Sequence, residues 1–397
     1  MSLTMPNEMT FQHLARILLT VLLLGISLLP PPAFARPGNP ERHPVGVRAI
    51  GRGGAGVAVE ANPWFNPAGL GRVKESAISA GVNAYGASRE SSDEFAIGPL
   101  SGTIESSSVD VFPSSITYLF PAGAYGDWSI GVGATIVVPD WDQFDGNFRI
   151  PANNTTFELQ ALRFRETQTY WSVPAVGGCN EDGWCLGLGL PIALHRQRNN
   201  TVVTVSSVRT DGFFFASTIT ENDEVFALSG ALSAGLQVPL SARYRFGASL
   251  RTPTTGLSSS GNILHTDSFF TDIPGEASFA NRIEIDDPQS EFKQPWRLSV
   301  GLAYEEPEVF AWYLDLRVTA SQDDYFSYTG PNGETSLPPT GVGGITVLAP
   351  EQRIAFAPTV ATNATVNANA GIEFFLSPTQ VLQVGAFTDF SATPSES

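Results

Sequence analysis

The residues of this chain that could do chemistry are few, and two cysteines lie closest together. Cys179 and Cys185 flank the turn-forming stretch 180–183, between two segments that alternate apolar and polar residues. In an oxidising compartment, two cysteines across such a hairpin form a disulfide. A metal site would need two more ligands, and a redox pair would have C-x-x-C spacing. The sequence therefore predicts a structural disulfide and no metal site.

Histidine could act as a general base, but no nucleophile accompanies one in the sequence. Beyond the export signal described below, the histidines are His43, His195 and His265. No G-x-S-x-G motif occurs, and His43 and His265 are typical of surface histidines. The sequence therefore predicts that the chain is not an enzyme.

A glycine-rich stretch, Gly51-Arg52-Gly53-Gly54-Ala55-Gly56, has the spacing G-x-G-x-x-G. In a dinucleotide site, this motif follows a strand and opens a helix. No strand precedes it here, and an exported protein has no ready supply of nicotinamide cofactor. We therefore predict no cofactor.

The elements that would position these residues begin after an export signal. Arg16 precedes the apolar run 17–29, and Ala33-Phe34-Ala35 has the small-x-small pattern of a cleavage site. We expect residues 1–35 to be a signal peptide. The alternative is a retained membrane anchor, for which the run is short. No later stretch has about eighteen uninterrupted apolar residues, so no transmembrane helix is predicted.

Short segments with a period of two fill the chain from residue 76 onward, as in strands with one apolar face. In the third segment one face carries Trp128, Ile130, Val132, Ala134, Ile136 and Val138, and the other carries Ser129, Gly131, Gly133 and Thr135. We predict eleven strands, near 76–85, 107–120, 127–139, 159–174, 183–198, 223–240, 242–254, 291–304, 309–321, 363–376 and 380–390.

The distribution of charge favours a membrane barrel over a soluble sandwich. Charged residues are confined to one face of strands about ten residues long, as in a polar lumen inside an apolar exterior. Only 15% of the residues are charged, and the net charge of -17 gives no basic patch for nucleic acid. The predicted fold class is all-β, an antiparallel transmembrane β-barrel. The alternative is a soluble all-β protein.

The predicted connections alternate in length, which gives the barrel a direction. Short turns face the periplasm in such barrels, and long loops face outside. The long polar stretches predicted as loops are 86–106, 140–158, 199–222, 255–290 and 322–362. Closed bacterial barrels have even strand counts, and eleven would leave an unpaired edge in lipid. We therefore expect the barrel domain, residues 76–397, to be C-terminally incomplete.

Residues 36–75 differ from the strands because Gly, Pro and Asn are frequent and alternation is missing, which predicts a compact plug. The stretch contains Arg48-Ala-Ile-Gly-Arg-Gly-Gly-Ala-Gly and then Asn66-Pro67-Ala68-Gly69-Leu70. These motifs closely resemble the start of the FadL/OmpP1/TodX family of outer-membrane transporters for long-chain fatty acids and other hydrophobic compounds. Weaker similarity follows at Arg243-Tyr244-Arg245-Phe246, Pro295-Trp296-Arg297 and Gly385-Ala386-Phe387-Thr388-Asp389.

The resemblance implies a fourteen-stranded barrel, of which about eleven strands are present, with an N-terminal hatch in its lumen. The matching hatch motif consists of Gly51, Arg52, Gly53, Gly56, Asn66, Pro67 and Ala68. In the family, a ligand passes from an external groove to an internal pocket. It leaves sideways, after the hatch moves, beside a kinked third strand. Pro139 is the candidate for the kink, and the alternative is an ordinary strand terminator.

The resemblance also suggests a partner for a ligand carboxylate, because the family uses an arginine in strand five. The matching position is Arg196. By strict alternation Arg196 faces outward with Leu190, so the alternative is an arginine at the level of the lipid headgroups. The fallback candidates in the lumen are Arg245, Arg251, Arg297 and Arg317.

The function that the resemblance implies is uptake of long-chain fatty acids or other hydrophobic compounds through the outer membrane of a Gram-negative-type bacterium. The expected partners are a hydrophobic small molecule and outer-membrane lipid, and the expected state is a monomer. Two alternatives stay open. One is a barrel enzyme that acts on lipids, and the other is a structural or adhesive barrel without transport.

Overall fold

The computed structural model describes residues 49, 51–97, 100–151, 157–208, 214–272, 278–329, 336–337, 354–355, 359–377, 380–388 and 390. The predicted signal peptide, the predicted plug residues before 49, His43 and the last residues of the chain lie outside this part. No helix among the described residues is long and apolar enough to cross a membrane.

The described chain forms eleven strands in sequence order, and each pairs with the next in antiparallel fashion. Four are continuous: β1 Ala77–Ile97, β2 Leu100–Tyr125, β3 Trp128–Pro151 and β4 Phe157–Asn180. Six are interrupted: β5 Cys185–Gly189 and Ile192–Val208, β6 Phe214–Gly230 and Ser233–Pro239, β7 Tyr244–Arg251 and Thr255–Thr271, β8 Phe279–Asp286, Gln289–Ser290 and Arg297–Glu306, β9 Phe310–Thr319, Gln322–Phe326 and Tyr328–Thr329, and β10 Thr359–Thr362 and Thr365–Ser377. The last is β11 Gln380–Phe387, and Ser336–Leu337 pairs with Ile354–Ala355 as a short ribbon.

The predicted all-β class and its eleven strands are confirmed, but the prediction of long loops is wrong in extent. Residues 86–97 and 100–106 continue β1 and β2, and residues 140–151 continue β3. Polar residues can do this because the ladder needs only backbone donors and acceptors. The missing apolar face marks where the strands leave the apolar zone, and not where pairing ends.

The two faces of the sheet have inverted polarity relative to a water-soluble protein. The inner face of β3 buries Gly131, Gly133 and Thr135, whereas Ile136 on the outer face is 49% exposed. Buried polar residues elsewhere include Ser299, Asp315, Arg317, Asn367, Asn369 and Glu373. Exposed apolar residues include Leu186, Leu188, Leu190, Leu250, Leu298, Ile372 and Phe374. Soluble proteins rarely expose so large an apolar surface.

The apolar exterior has a boundary near each end of the strands. At the short-turn end, Tyr304 lies against Tyr244 and Trp312, with ring centroids 5.0 and 6.2 Å away. At the other end, Trp296, which directly precedes the Arg297–Glu306 part of β8, is 42% exposed. The eight steps from Trp296 to Tyr304 span roughly 27 Å along the chain. This length matches the apolar band of a membrane barrel, about 25 Å tall.

The residues before the first strand form an irregular segment inside the curved sheet. This plug segment, residues 51–72, ends in a short 3₁₀ helix, Pro67–Arg72, whose residues 67–71 are buried. Side chains or backbone of every strand from β2 to β11 contact the plug segment. A flat sheet could not reach one short segment from ten strands, so the sheet wraps around it.

Candidate ligand site around the plug segment

The Asn-Pro-Ala motif of the plug segment is built around a fully buried asparagine. The side-chain oxygen of Asn66 accepts a hydrogen bond from the Ala68 N–H at 3.1 Å and so caps the 3₁₀ helix. Its amide donates to the carbonyl oxygens of Val57, Leu236 and Ala248 at 2.9, 3.0 and 3.2 Å. One side chain therefore joins the two halves of the plug segment to β6 and β7.

Glycines on the inner face of the strands allow the plug backbone to lie directly on the wall. This glycine belt consists of Gly131, Gly177, Gly187, Gly235, Gly247, Gly301, Gly371 and Gly385, one on each of β3–β8, β10 and β11. A Cβ atom at seven of them would collide with the plug segment, for example with Pro67 at Gly187 and with Arg52 at Gly371. At Gly301 it would collide with the Asp315 side chain and lie close to Val57. Glycine weakens a strand, and it recurs where another backbone approaches closely.

The first half of the plug segment, residues 51–57, is held by polar side chains of β9 and β10. One carboxylate oxygen of Asp315 accepts from the backbone N–H groups of Gly56 and Val57 at 2.7 and 3.0 Å. Asn369 donates to the Gly53 carbonyl and Arg317 to the Gly54 carbonyl, each at 2.7 Å. The polar lumen wall thus supplies the hydrogen bonds that an irregular backbone cannot make within itself.

The plug segment contains two arginines, of which Arg52 is buried and Arg72 is half-buried. Arg52 is 2% exposed and binds Glu373 on β10. Burial lowers the pKa of Arg52. Its hydrogen bond to Glu373 and the negative charge of Glu60 raise the pKa by a larger amount, so the net shift is upward. Burial, together with the positive charge of Arg245, lowers the pKa of Arg72 to about 10. Both side chains stay charged at neutral pH.

Aromatic side chains form a cluster on the other side of the plug segment. This aromatic cluster comprises Trp64 and Phe65 of the plug segment, Trp171 of β4, and Phe292. The Trp171 ring packs edge-on against Trp64 at 5.9 Å and against Phe292 at 6.1 Å. Arginines lie over these rings: Arg251 is 4.5 Å and Arg297 is 5.4 Å from the Trp64 centroid, and Arg317 is 5.5 Å from that of Phe65. The cluster is a largely buried apolar core with cationic groups at its edge.

The aromatic cluster adjoins an irregularity of β3 at the position of Pro139. Val137 pairs with Trp171, but the next pair is Asp140 with Thr169, so two residues of β3 oppose one residue of β4. Val137 is itself buried in the cluster. A β-bulge of this kind bends the strand and interrupts the ladder. The role of Pro139 in ligand exit stays a prediction.

Little space remains between the plug segment and β8–β9. A cavity of about 10 Å³ lies among Val57, Trp64, Phe65, Arg297, Ser299 and Arg317. That volume is about enough for one water molecule, whereas benzene binds in an apolar cavity of about 150 Å³. An arene could enter here only if the plug segment or the side chains of the cluster moved.

A disulfide joins Cys179 and Cys185, which are cross-strand partners on β4 and β5, with an S–S distance of 2.07 Å. Both cysteines are buried on the inner face and pack against Ala68 of the Asn-Pro-Ala motif. The bridge therefore forms part of the seat of the 3₁₀ helix.

Arg196 does not lie beside the plug segment. Its neighbour Leu194 on the same face is 42% exposed, and its guanidinium binds Glu224 of β6 at 2.5 Å. This outward position is the one that the headgroup alternative describes, and a role for Arg196 in ligand binding stays a prediction. Three fallback arginines, Arg251, Arg297 and Arg317, lie at the aromatic cluster instead, and Arg245 lies near Glu305.

Several residues of this site are not predicted from the sequence. Trp171 lies on the inner face of β4, which strict alternation from Val173 would have shown, and its Nε1 has no hydrogen-bond partner among the described residues. Phe292 lies in an irregular stretch before Arg297, where no periodicity indicates a face. His195 stacks on Phe292 at 4.5 Å and pairs with the Thr169 hydroxyl at 3.0 Å.

No protein-family model matches this chain, and no curated protein is similar to it in sequence. Solved structures with a similar fold do exist. The crystal structure of the P. putida toluene transporter TodX aligns with a TM-score of 0.50 at 12% identity, over 89% of this chain and 86% of that one. The Ralstonia pickettii toluene transporter TbuX aligns with a TM-score of 0.53 at 12% identity, over 88% and 87% of the two chains. The resemblance to the FadL/OmpP1/TodX family is confirmed at the level of the fold.

Proposed function

We propose that this chain, which shares the fold of TodX and TbuX, is an outer-membrane uptake channel for hydrophobic compounds, with residues 36–75 as its hatch. One observation carries the proposal. An apolar exterior encloses a polar lumen that a separate segment fills, and an aromatic cluster lies where that segment meets the β3 bulge. An apolar exterior suits lipid, and a filled lumen excludes the open water channel of a porin.

The route that we propose begins at the outer side, reaches the aromatic cluster, and leaves through the wall beside Pro139. A hydrophobic molecule gains from such a route because delivery into lipid avoids exposing its surface to water again. The cavity between the plug segment and β8–β9 is too small for an aromatic ring, so in this proposal the hatch shifts before the molecule passes. The β3 bulge lies directly against the cluster, so the path from pocket to wall is short.

The ligand class that we propose is a hydrophobic compound with an aromatic ring, and a long-chain fatty acid is the second case to test. Tryptophan and phenylalanine edges favour ring contacts, which supports the first case. The names of TodX and TbuX describe them as toluene transporters, which points the same way. The arginines over the Trp64 ring would suit a carboxylate, which supports the second case.

Uptake by whole cells tests this function. Cells that carry the protein in their outer membrane should accumulate radiolabelled toluene or oleate faster than cells with an empty vector. Insertion is verified separately by the heat-dependent shift of the folded protein on a gel. If the inserted protein changes the uptake of neither compound, the proposed function is wrong. Faster uptake of oleate alone would contradict the proposed preference for aromatic compounds, but it would still support the channel function.

A further inference from the structure

A buried ion pair links the first half of the plug segment to the wall. The Arg52 guanidinium donates to both carboxylate oxygens of Glu373, from Nε at 2.8 Å and from Nη2 at 3.0 Å. Arg52 is 2% exposed and Glu373 is fully buried. Bidentate pairs of this geometry are strong and directional, and a buried pair is costly to break by removing one partner.

The surroundings of the pair come from the two neighbouring strands, β9 and β11, and from the plug segment itself. Tyr313 of β9 donates its hydroxyl to Glu373 at 2.9 Å, and its ring lies under the guanidinium at 4.0 Å. Gln383 of β11 donates to the other carboxylate oxygen. Glu60 of the plug segment accepts from Nη1 of Arg52 at 2.6 Å. Arg52 is therefore held in one geometry by groups on both sides of the plug–wall boundary.

The second half of the plug segment is held differently. Its hydrogen bonds to β2–β7 use neutral groups: Asn62 with Thr117 and Thr135, Asn66 with the carbonyls of β6 and β7, and the Gly71 carbonyl with Ser129. Its backbone also rests on the glycine belt. The two halves can therefore be released by different means, because within the described ranges a side-chain ion pair with the wall is formed by the first half alone.

We propose that Arg52 and Glu373 form a latch, a pair of positioning residues that keeps the first half of the plug segment on β9–β11 in the closed channel. The inference rests on the proposed function, since it assigns the closed state of the hatch to named groups. When the pair separates, residues 51–57 leave the wall and a gap opens along the inner side of β9–β11. The Asn-Pro-Ala turn keeps its seat on β4–β7 meanwhile.

Ion currents through the full-length protein in planar lipid bilayers test the latch without needing to know the ligand. Glu373→Gln removes the charge but keeps the size and one acceptor, and we expect openings to become more frequent, on the order of tenfold. The double variant Arg52→Glu/Glu373→Arg restores a pair of opposite charges. It is made in a Glu60→Gln background, because Glu60 would otherwise repel the carboxylate introduced at position 52. Openings should return toward the frequency of that background. The matched control is Glu306→Gln. It removes an exposed pair with Arg243 at the rim, and openings should not change.

The double variant also separates a latch from a merely structural role, because general loosening of the fold would not be reversed by exchanging two charges. Equal opening frequencies in the original protein and in Glu373→Gln would overturn the proposal. A double variant that opens as often as Arg52→Glu alone or Glu373→Arg alone would overturn it too. If Glu373→Gln does not fold, Arg52→Lys keeps the charge and loses the bidentate bond. It should then show intermediate opening, and unchanged opening would again overturn the latch. These currents do not depend on uptake, so a protein that takes up no hydrophobic compound can still confirm or refute the latch.

Discussion

Trp171 is the residue at which the aromatic cluster, the plug segment and the β3 bulge meet. Trp171→Leu keeps an apolar side chain but removes the ring contacts with Trp64 and Phe292. Aromatic contacts contribute about 0.5–1.5 kcal/mol beyond their burial, so uptake of an aromatic ligand should fall roughly three- to tenfold. Initial rates of labelled toluene uptake measure this.

The control for that prediction is another tryptophan of the same hairpin. Trp184 is 51% exposed and lies in the turn between β4 and β5, away from the cluster. Trp184→Leu should leave the rate of toluene uptake unchanged. A similar fall in both variants would point to reduced insertion, and no fall in Trp171→Leu would remove the cluster from the route.

The sequence predicts the residues of the plug motif well, but it does not predict which residues of the strands they contact. Asn66 and Arg52 were found because they lie in a recognisable motif. Their partners Leu236, Ala248 and Glu373 are more than a hundred residues away. Glu373 looked like one more charge on a polar face, since nothing in its neighbourhood in sequence indicates a bond to Arg52. Long-range pairing of this kind follows from strand register and curvature, which a single sequence does not specify.

The glycine belt leaves no room for a side chain between the strands and the plug segment. Gly187→Ala places a methyl group against the backbone of Pro67 and Ala68, so either the plug segment or β5 must move. Overpacking of this kind costs about 1–3 kcal/mol. The free energy of unfolding in detergent micelles should fall by that amount. Gly256→Ala is the control, because a Cβ there meets nothing within 4 Å and should change the stability by less than about 0.5 kcal/mol.

The bulge in β3 interrupts the ladder between β3 and β4 beside the aromatic cluster. Deletion of Pro139 removes the additional residue opposite β4, so Val137 and Asp140 could then belong to one continuous ladder. If the ligand leaves through this interruption, uptake of toluene should be lost while the protein still inserts. Pro174→Ala on β4 serves as the control, since Pro174 is exposed and pairs with Ala134 away from the bulge. Undiminished uptake after the deletion would place the exit elsewhere.

The strands show where periodicity predicts well and where it stops. Alternation located all eleven strands because it reflects a sheet with one apolar face. It missed their outer parts, such as residues 199–208 of β5 and 255–271 of β7, where threonine, serine and asparagine dominate. There the ladder continues without an apolar face, and a sequence pattern based on hydrophobicity cannot distinguish it from a loop.

At the scale of the whole molecule, the inverted polarity predicts that the exterior requires lipid. Leu188 is 64% exposed between the two boundaries of the apolar exterior. Arginine there should destabilise the protein in lipid vesicles by about 2–4 kcal/mol, the cost near the middle of a bilayer. Urea unfolding in vesicles measures the difference.

The control is Leu240→Arg, at a residue 62% exposed in the short turn after β6. Near the membrane surface the same substitution costs only about 0–1 kcal/mol. Equal effects at the two positions would mean that the exterior lies in water, and a soluble all-β protein would then account for the alternation.

The glycine belt also limits which substitutions the contact between the plug segment and the strands can accept during evolution. Plug and wall touch there mainly through backbone atoms, which differ little between amino acids other than proline. Compensating pairs of substitutions, by which touching side chains usually drift together, are therefore not open to these positions. The wall can vary only by acquiring a side chain that displaces the plug, whereas a plug side chain such as Arg52 can vary together with the wall residue that it binds, Glu373. Methods that infer contacts from correlated substitutions would be nearly blind to this interface.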